Sequence, residues 1–355
     1  MPRVWEVPVH DSTRVRDARV AAEHASAAAG LDGSRTAAAS LVATELATNL
    51  LRHAAGGRVL VEVVPPPVLV AGQDAAPVVQ IAAVDHGPGI ADVAAAFDDG
   101  FSTADSLGAG LGTCRRAADD FALHSVVGRG TVALARIGAP VPAAAPGGRS
   151  LTAGVRAGGV NVPFGGAEYS GDAWGWVAAE DRVTLMLADG LGHGPEAARA
   201  STAAVDALRG AAGLGPGETL RLLHGALSGT RGAAVAVAQV DLRAGRLRFA
   251  GVGDIGARLC AAGKWRALVS RPGIVGVHRP GTLREEEADW ADDRLLVLHS
   301  DGLPSRWTPP PEACRPAVDP AVTAAVTVRD AVSSARPVRD DTTVAVLTSN
   351  PSDRS

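Results

Sequence analysis

Along the first 140 residues the apolar positions switch between a period near two and a period near 3.6. Val4 to Val9, Arg58 to Val64 and Val78 to Val84 read as strands, the first as an edge strand. Thr13 to Ala29 reads as a helix stopped by Gly30. Asp32 or Ser34 can cap a second helix, along which Leu41, Val42, Leu46, Leu50 and Leu51 recur at helical spacing and turn inward. Glu45, Asn49 and His53 then share another face, because steps of four residues rotate by only about 40° around the axis. PPPVLVAGQDAAP, between two of the strands, holds too many prolines for a central strand. Gly110 to Asp120 fits a helix, and Ala122 to Val127 with Thr131 to Ile137 fits a hairpin turned at Gly128 and Gly130. The sum is a helix layer on a mixed sheet.

GAPVPAAAPGGRS, from Gly138 to Ser150, breaks every periodicity. Proline and alanine hold such a segment extended over about 30–40 Å, which makes it a linker. Beyond it strands dominate: Val155 to Phe164, Ala173 to Ala178, Val183 to Ala188, Ala233 to Val240, Arg246 to Ala250, Ala257 to Cys260, Leu283 to Glu287, Leu295 to His299 and Thr342 to Leu347. Helices are expected over Pro195 to Leu208, with proline in its first turn, and over Thr219 to Leu227. Helices set between groups of antiparallel strands predict a layered sandwich. The expected organisation is a domain over 1–137, a linker over 138–150, a second domain over 151–349 and a short tail over 350–355.

Composition narrows the function. The 355 residues carry a net charge of −4, so no electrostatic footprint points to nucleic acid or to an anionic membrane surface. No apolar run approaches the ~20 residues of a spanning helix, and MPRVWEVPVH lacks a signal-peptide pattern, so the expected location is cytoplasmic. The three cysteines, Cys114, Cys260 and Cys314, lie far apart without metal-ligand spacing and are expected as buried thiols.

Candidate chemistry gathers in both halves. In the first, Glu45 and Asn49 stand one helical turn apart; a carboxylate and an amide oxygen are hard ligands suited to a magnesium ion carrying phosphates, although the same pair also suits an ordinary wet helix face. After the strand ending at Val84 comes Asp85-His-Gly-Pro-Gly, and later a glycine-rich run containing Gly108, Gly110 and Gly112 opens a helix. Glu-x-x-x-Asn on a helix, Asp-x-Gly-x-Gly after a strand and Gly-x-Gly-x-Gly before a helix, in that order, resemble the GHKL family of ATP-binding domains. The segment DGFSTADSLGAGLG and the ending VGRGTVALAR resemble its RsbT-like serine/threonine kinases. The resemblance implies a Bergerat-type two-layer α/β sandwich that binds ATP with Mg²⁺. Asn49 would hold the metal and Glu45 would act as base toward an attacking hydroxyl. Asp85 would accept from the adenine amino group, with Gly87 and Gly89 letting the base approach and Thr131 standing behind it. Gly108, Gly110 and Gly112 would turn backbone N–H groups to the phosphates.

In the second half, VTLMLADGLGHG and RLLVLHSDGLPS each run an apolar strand into Asp-Gly, at Asp189-Gly190 and Asp301-Gly302. Asp-Gly after a strand is also a common hairpin turn. Asp172 and the pair Asp340-Asp341 flank other strands. The order Asp, Asp-Gly, Asp-Gly, Asp-Asp-x-Thr resembles the SpoIIE-type branch of the metal-dependent (PPM) serine/threonine phosphatases, RsbX-like members in particular. That implies a four-layer α-β-β-α sandwich holding two Mn²⁺ or Mg²⁺ ions. Asp189 would bridge them with help from the Gly190 carbonyl, while Asp172, Asp301 and Asp340 or Asp341 would complete the shells. His193 could serve the substrate or the turn. Asp254 stands where RsbX-like sequences carry asparagine, a departure from the pattern.

Taken together, the two resemblances imply α+β domains fused into a bifunctional regulator of a sigma-factor pathway. It would phosphorylate, with ATP, and dephosphorylate a STAS-domain partner, an anti-sigma antagonist or a scaffold of RsbS or RsbR type. The alternative is a first domain that switches a partner by nucleotide-dependent contact alone, attached to an active phosphatase.

Overall fold

The computed structural model describes residues 3–69, 76–97, 110–139, 154–278, 281–304, 307, 311–332 and 339–349. The chain divides into two compact units, one of Val4–Pro66 with Ala76–Ala144 and one of Met1–Arg3, Pro67–Ala75 and Ala145–Ser355. All but the first two residues of the expected linker lie outside the described residues.

In the first unit β1 (Val4–Val9), β2 (Gly57–Val64), β3 (Val78–Val84), β4 (Asp120–Val126) and β5 (Gly130–Ile137) form one sheet in the order β1-β2-β3-β5-β4. Every pairing is antiparallel, so the sheet is not mixed as its sequence suggested. The reason lies in the connections: β1 returns to β2 through a pair of helices, and β4 turns straight back into β5. Those helices, α1 (Thr13–Ala28) and α2 (Gly33–His53), cover one face. Ala18, Ala22, Ala25, Ala39 and Ala43 are buried with Val42, Leu46 and Leu50 over Val59, Val61, Ile81 and Ala133. Small side chains let the helices close on the sheet. Asp32 caps α2, its carboxylate accepting from the Arg35 N–H at 2.8 Å. Leu51 packs on this core, but Leu41 is 42% exposed and belongs to the wet side. The helix α3 (Gly110–Ala117) is shorter than expected because Asp120 already begins β4.

The second unit stacks two five-stranded antiparallel sheets. One has the order β13-β10-β9-β8-β7 and the other β12-β11-β14-β15-β6. The first is built from β7 (Asp172–Ala179), β8 (Arg182–Gly190), β9 (Ala233–Asp241), β10 (Arg246–Val252) and β13 (Glu286–Asp289); the second from β6 (Val155–Val162), β11 (Gly256–Ala261), β12 (Lys264–Leu268), β14 (Leu295–His299) and β15 (Thr342–Ser349). Helices α4 (Pro195–Leu208) and α5 (Pro216–Ala226) pack on the first sheet, and α6 (Pro320–Ala331) packs on β6 and β15 of the second. The result is an α-β-β-α four-layer sandwich. Strands covered on both faces need no alternation, and all eight residues of β15 are buried.

Four elements of the second unit differ from the sequence reading. Nearly every residue of α6 is buried, so it lacks the amphipathic stripe that marks a surface helix and was not anticipated. The short, largely exposed β12 was likewise missed, and β13 begins at Glu286 rather than Leu283. Helix α5 starts three residues before Thr219, at Pro216, where Glu218 accepts from the Gly215 N–H at 3.0 Å. Among the described residues no helix is long and apolar enough to cross a membrane.

Candidate functional sites

In the first unit, the polar stripe of α2 meets the start of α3. A Cβ placed on Gly110 would lie 3.2 Å from the Asn49 Oδ1 and 3.3 Å from the Glu45 Oε2, so the first residue of α3 rests directly over both side chains. Glu45, Asn49 and Gly110 are therefore brought together. Gly112, two residues along, is buried, and Gly108 lies outside the described residues. Cys114, fully buried in the same helix, has its thiol pushed up to about 12, first by burial and then by the nearby Glu45 carboxylate. It behaves as a small hydrophobic residue.

Asp85 leaves the end of β3 almost fully buried. Its Oδ1 accepts from the Gly87 N–H at 2.8 Å and from the Thr131 N–H at 3.0 Å, and its own N–H donates to the Thr131 carbonyl. The carboxylate thus organises the Asp-x-Gly turn and ties it to β5. A Cβ on Gly87 would fall 2.7 Å from the Ala54 Cβ, so glycine is needed there for the protein's own packing against the end of α2. Gly89, at φ +73°, lies against the Val126 carbonyl, where no side chain fits. Behind the turn, Ser125 Oγ stands 2.8 Å from Thr131 Oγ1 and accepts from the Ile90 N–H at 2.8 Å. Ser125 was not singled out in the sequence; its only signal is a hydroxyl two residues before the hairpin turn, facing Thr131.

In the second unit, β7 and β8 place Asp172 directly opposite Asp189 in register. Asp172 is buried, and its Oδ2 has no hydrogen-bond partner. Burial and then the neighbouring Asp189 push its carboxyl well above the ordinary range. Asp189 rises to about 8, through burial first and then through Asp301, Asp340, Asp341 and Asp254. Asp301 is raised by burial and by Asp340 and Asp254. Six carboxylates from four separate strand ends and one loop therefore act on one another. Asp254, in the β10–β11 connection, belongs to this group by its electrostatics.

The adjacent Asp340 and Asp341 do different things. Asp341 is buried, and its two oxygens accept from the Phe164 N–H and the Gly171 N–H, both at 2.7 Å. Asp340 is exposed and, among the described residues, its side chain accepts only from the Asp341 N–H, at 2.8 Å. Asp341 is thus tied into the framework while Asp340 keeps oxygen lone pairs available to a ligand. Gly190 pairs with Ala233, and a Cβ on it would run into the Ala197 carbonyl, so only glycine lets the first turn of α4 sit against the strand end. Burial pushes the Asp341 carboxyl above the ordinary range, against the opposing pull of its two backbone hydrogen bonds and, last, of the exposed His193 nearby.

The donor set fits hard divalent cations. It consists of carboxylates and the Gly190 carbonyl, and the Asp172 Oδ2 is a buried oxygen without a hydrogen-bond partner. Among the described residues no three Asp, Glu, His or Cys side chains converge tightly enough to enclose an ion. Like charges at this density resist closer approach until a cation neutralises them.

Comparison with known proteins follows the same division. A family model described as a histidine kinase-like ATPase domain matches residues 9–137, and one described as stage II sporulation protein E (SpoIIE) matches residues 179–350. The serine/threonine-protein kinase RsbT of Bacillus subtilis (strain 168) is 41% identical over 88 residues, 25% of this chain; the chain thus spans 61% of that kinase's length. A solved bacterial stressosome structure is 30% identical, covering 54% of this chain and 98% of its own, with a TM-score of 0.49. The structure of RsbX in complex with magnesium is 18% identical, covering 56% of this chain and 96% of its own, with a TM-score of 0.47. The chain therefore joins two families: a histidine kinase-like ATPase domain homologous to RsbT, followed by a phosphatase domain of the SpoIIE type.

Proposed function

We propose that the chain sets the phosphorylation level of a serine or threonine on a STAS-domain protein in a sigma-factor partner-switching pathway, adding phosphate with its first unit and removing it with its second. What carries this reading is the crowding of strand-end carboxylates: burial and neighbouring acids, Asp340 among them, push Asp189 and Asp301 up, and burial and Asp189 push Asp172 up. Asp172, Asp189, Asp301, Asp340 and the Gly190 carbonyl would hold two Mn²⁺ or Mg²⁺ ions. Such ions, when bound, supply an activated water near neutral pH and neutralise charge on the phosphoryl oxygens. Asp341 holds the β6–β7 loop against the last strand and so fixes Asp172 and Asp340 relative to one another. In the first unit Asn49 would hold Mg²⁺ on ATP, and Asp85 would read the adenine amino group. Glu45 would take the proton of the attacking hydroxyl. Its place beside Asn49 and Gly110 supports that role, because nucleotide binding alone needs no base. The magnesium named for RsbX and the kinase named for RsbT support the same pair of activities here.

The test uses the full chain, ATP, Mn²⁺ and candidate STAS proteins. Asp301→Asn should let phosphorylated partner accumulate, and Asn49→Ala should leave only removal from a partner phosphorylated beforehand. Glu45→Gln should bind nucleotide yet transfer at most about one hundredth as fast. Transfer at the wild-type rate by Glu45→Gln would make Glu45 part of an ordinary wet helix face, whereas nucleotide binding by the wild type without any transfer would establish the first unit as a nucleotide-dependent contact switch.

A further inference from the structure

We infer that Arg231 receives the phosphate of the substrate in the second unit, an assignment that rests on the phosphatase reading of that unit. Arg231 lies in the short turn between α5 and β9, and its backbone is firmly held. The Thr230 hydroxyl donates to the Leu227 carbonyl at 2.7 Å and accepts from the Gly232 N–H at 3.0 Å. Gly232, at φ +79°, is wedged where a Cβ would come within 2.6 Å of Ile274 and 2.7 Å of the Val275 carbonyl. Its own carbonyl accepts from the Leu191 N–H at 3.0 Å, which joins this turn to the loop that follows Asp189 and Gly190.

From that base the guanidinium reaches across Asp189's loop. Its Nη1 would lie 3.2 Å from a Cβ built on Gly192, so it rests against the backbone of that residue. The Gly192 carbonyl in turn lies beside Gly171, whose N–H binds Asp341 and whose next residue is Asp172. Arg231 thus borders the carboxylate cluster, yet among the described residues it forms no ion pair with any of the six acids and no hydrogen bond. Held apart from them on a rigid turn, its planar fork remains available to two oxygens of a phosphate monoester whose remaining charge the cations would balance.

The experiment compares wild type, Arg231→Ala and Arg231→Lys, loaded with Mn²⁺, on a phosphoserine peptide and by calorimetric binding of inorganic phosphate. The Ala variant should raise KM and weaken phosphate binding by about tenfold or more, with a smaller change in kcat and an unchanged Mn²⁺ requirement. The Lys variant, keeping the charge but losing the fork, should recover part of the loss. Phosphate binding and KM equal to wild type in a folded Arg231→Ala protein would overturn the assignment. If the wild type hydrolyses no phosphoester, the hydrolytic reading fails by itself, and the calorimetric comparison still decides whether Arg231 binds phosphate.

Discussion

Exchanging Asp341 for Asn alters one oxygen and leaves the shape of the side chain intact, yet the geometry makes it costly. Both oxygens accept backbone N–H groups at 2.7 Å, a part-buried one from Phe164 and a buried one from Gly171. An amide keeps one acceptor and presents an NH₂ group to the other N–H. One charge-assisted hydrogen bond is lost, worth roughly 1.5–3 kcal/mol, and a buried donor is left unmatched at roughly 1–3 kcal/mol. Removing the negative charge also relieves its burial penalty and its repulsion toward Asp340, Asp189 and Asp172, which offsets part of this. A net loss of about 3 kcal/mol remains, which for a unit of this size lowers Tm by roughly 6–12 °C. Asp340→Asn should behave in the opposite way. The residue is exposed, and an amide oxygen can still accept from the Asp341 N–H, so Tm in EDTA should stay within about 2 °C of wild type while the Mn²⁺ needed for hydrolysis rises. Thermal melts in EDTA followed by Mn²⁺ titration of phosphoserine hydrolysis separate the two variants. Wild-type melting by Asp341→Asn together with destabilisation by Asp340→Asn would refute the division of labour between the neighbours.

Asp85→Asn should keep the turn, since its remaining oxygen can still accept from Gly87 and Thr131, but it sets an amine against the adenine amino group; calorimetry should show ATP affinity reduced at least about tenfold, and undiminished affinity would remove Asp85 from the base pocket. Asp189→Asn should abolish Mn²⁺-dependent phosphoserine hydrolysis, and persistence of that activity in EDTA would rule out the metal site. Cys114 gives a pH prediction whose sign follows from its raised pKa. Below pH 9 the thiol is protonated folded and unfolded and its contribution is intact; between 9 and about 12 only the unfolded chain ionises, so stability falls as pH rises, by up to about 4 kcal/mol. Alkaline unfolding of Cys114→Ala should have a shallower limb than wild type, and identical limbs would count against the buried-thiol account.

How much of this was readable beforehand depended on whether a residue's role is local. Leu295 to His299 is an apolar run between polar neighbours, and β14 occupies those same residues. Asp85, Asp189 and Asp301 follow such runs, so their positions at strand ends could be read from the chain. Asp340 and Asp341 could not be told apart, because alternation along an extended chain says that neighbours face opposite ways but not which way is inward. That was decided by Phe164 and Gly171, about 170 residues earlier. Asp254 joins the acidic group only because β10 and β11 lie in different sheets and their connection passes the strand ends. Helix α6 was illegible for the opposite reason: buried nearly all round, its β-branched sequence looks the same whichever way it coils.

The position of β15 has a consequence for how the protein is made. It lies between β14 and β6, pairing the end of the second unit with its beginning, Ser349 opposite Val155 and Thr342 opposite Val162. On a ribosome the first unit has all five of its strands by Ile137 and can fold while the rest is still being synthesised. The second sheet of the other unit cannot close until just over two hundred further residues, roughly from Ile137 to Thr342, have emerged, and with it waits the Asp341 clasp that fixes Asp172. Each newly made chain therefore passes through a stage in which its nucleotide-binding half is complete and its acidic centre does not yet exist.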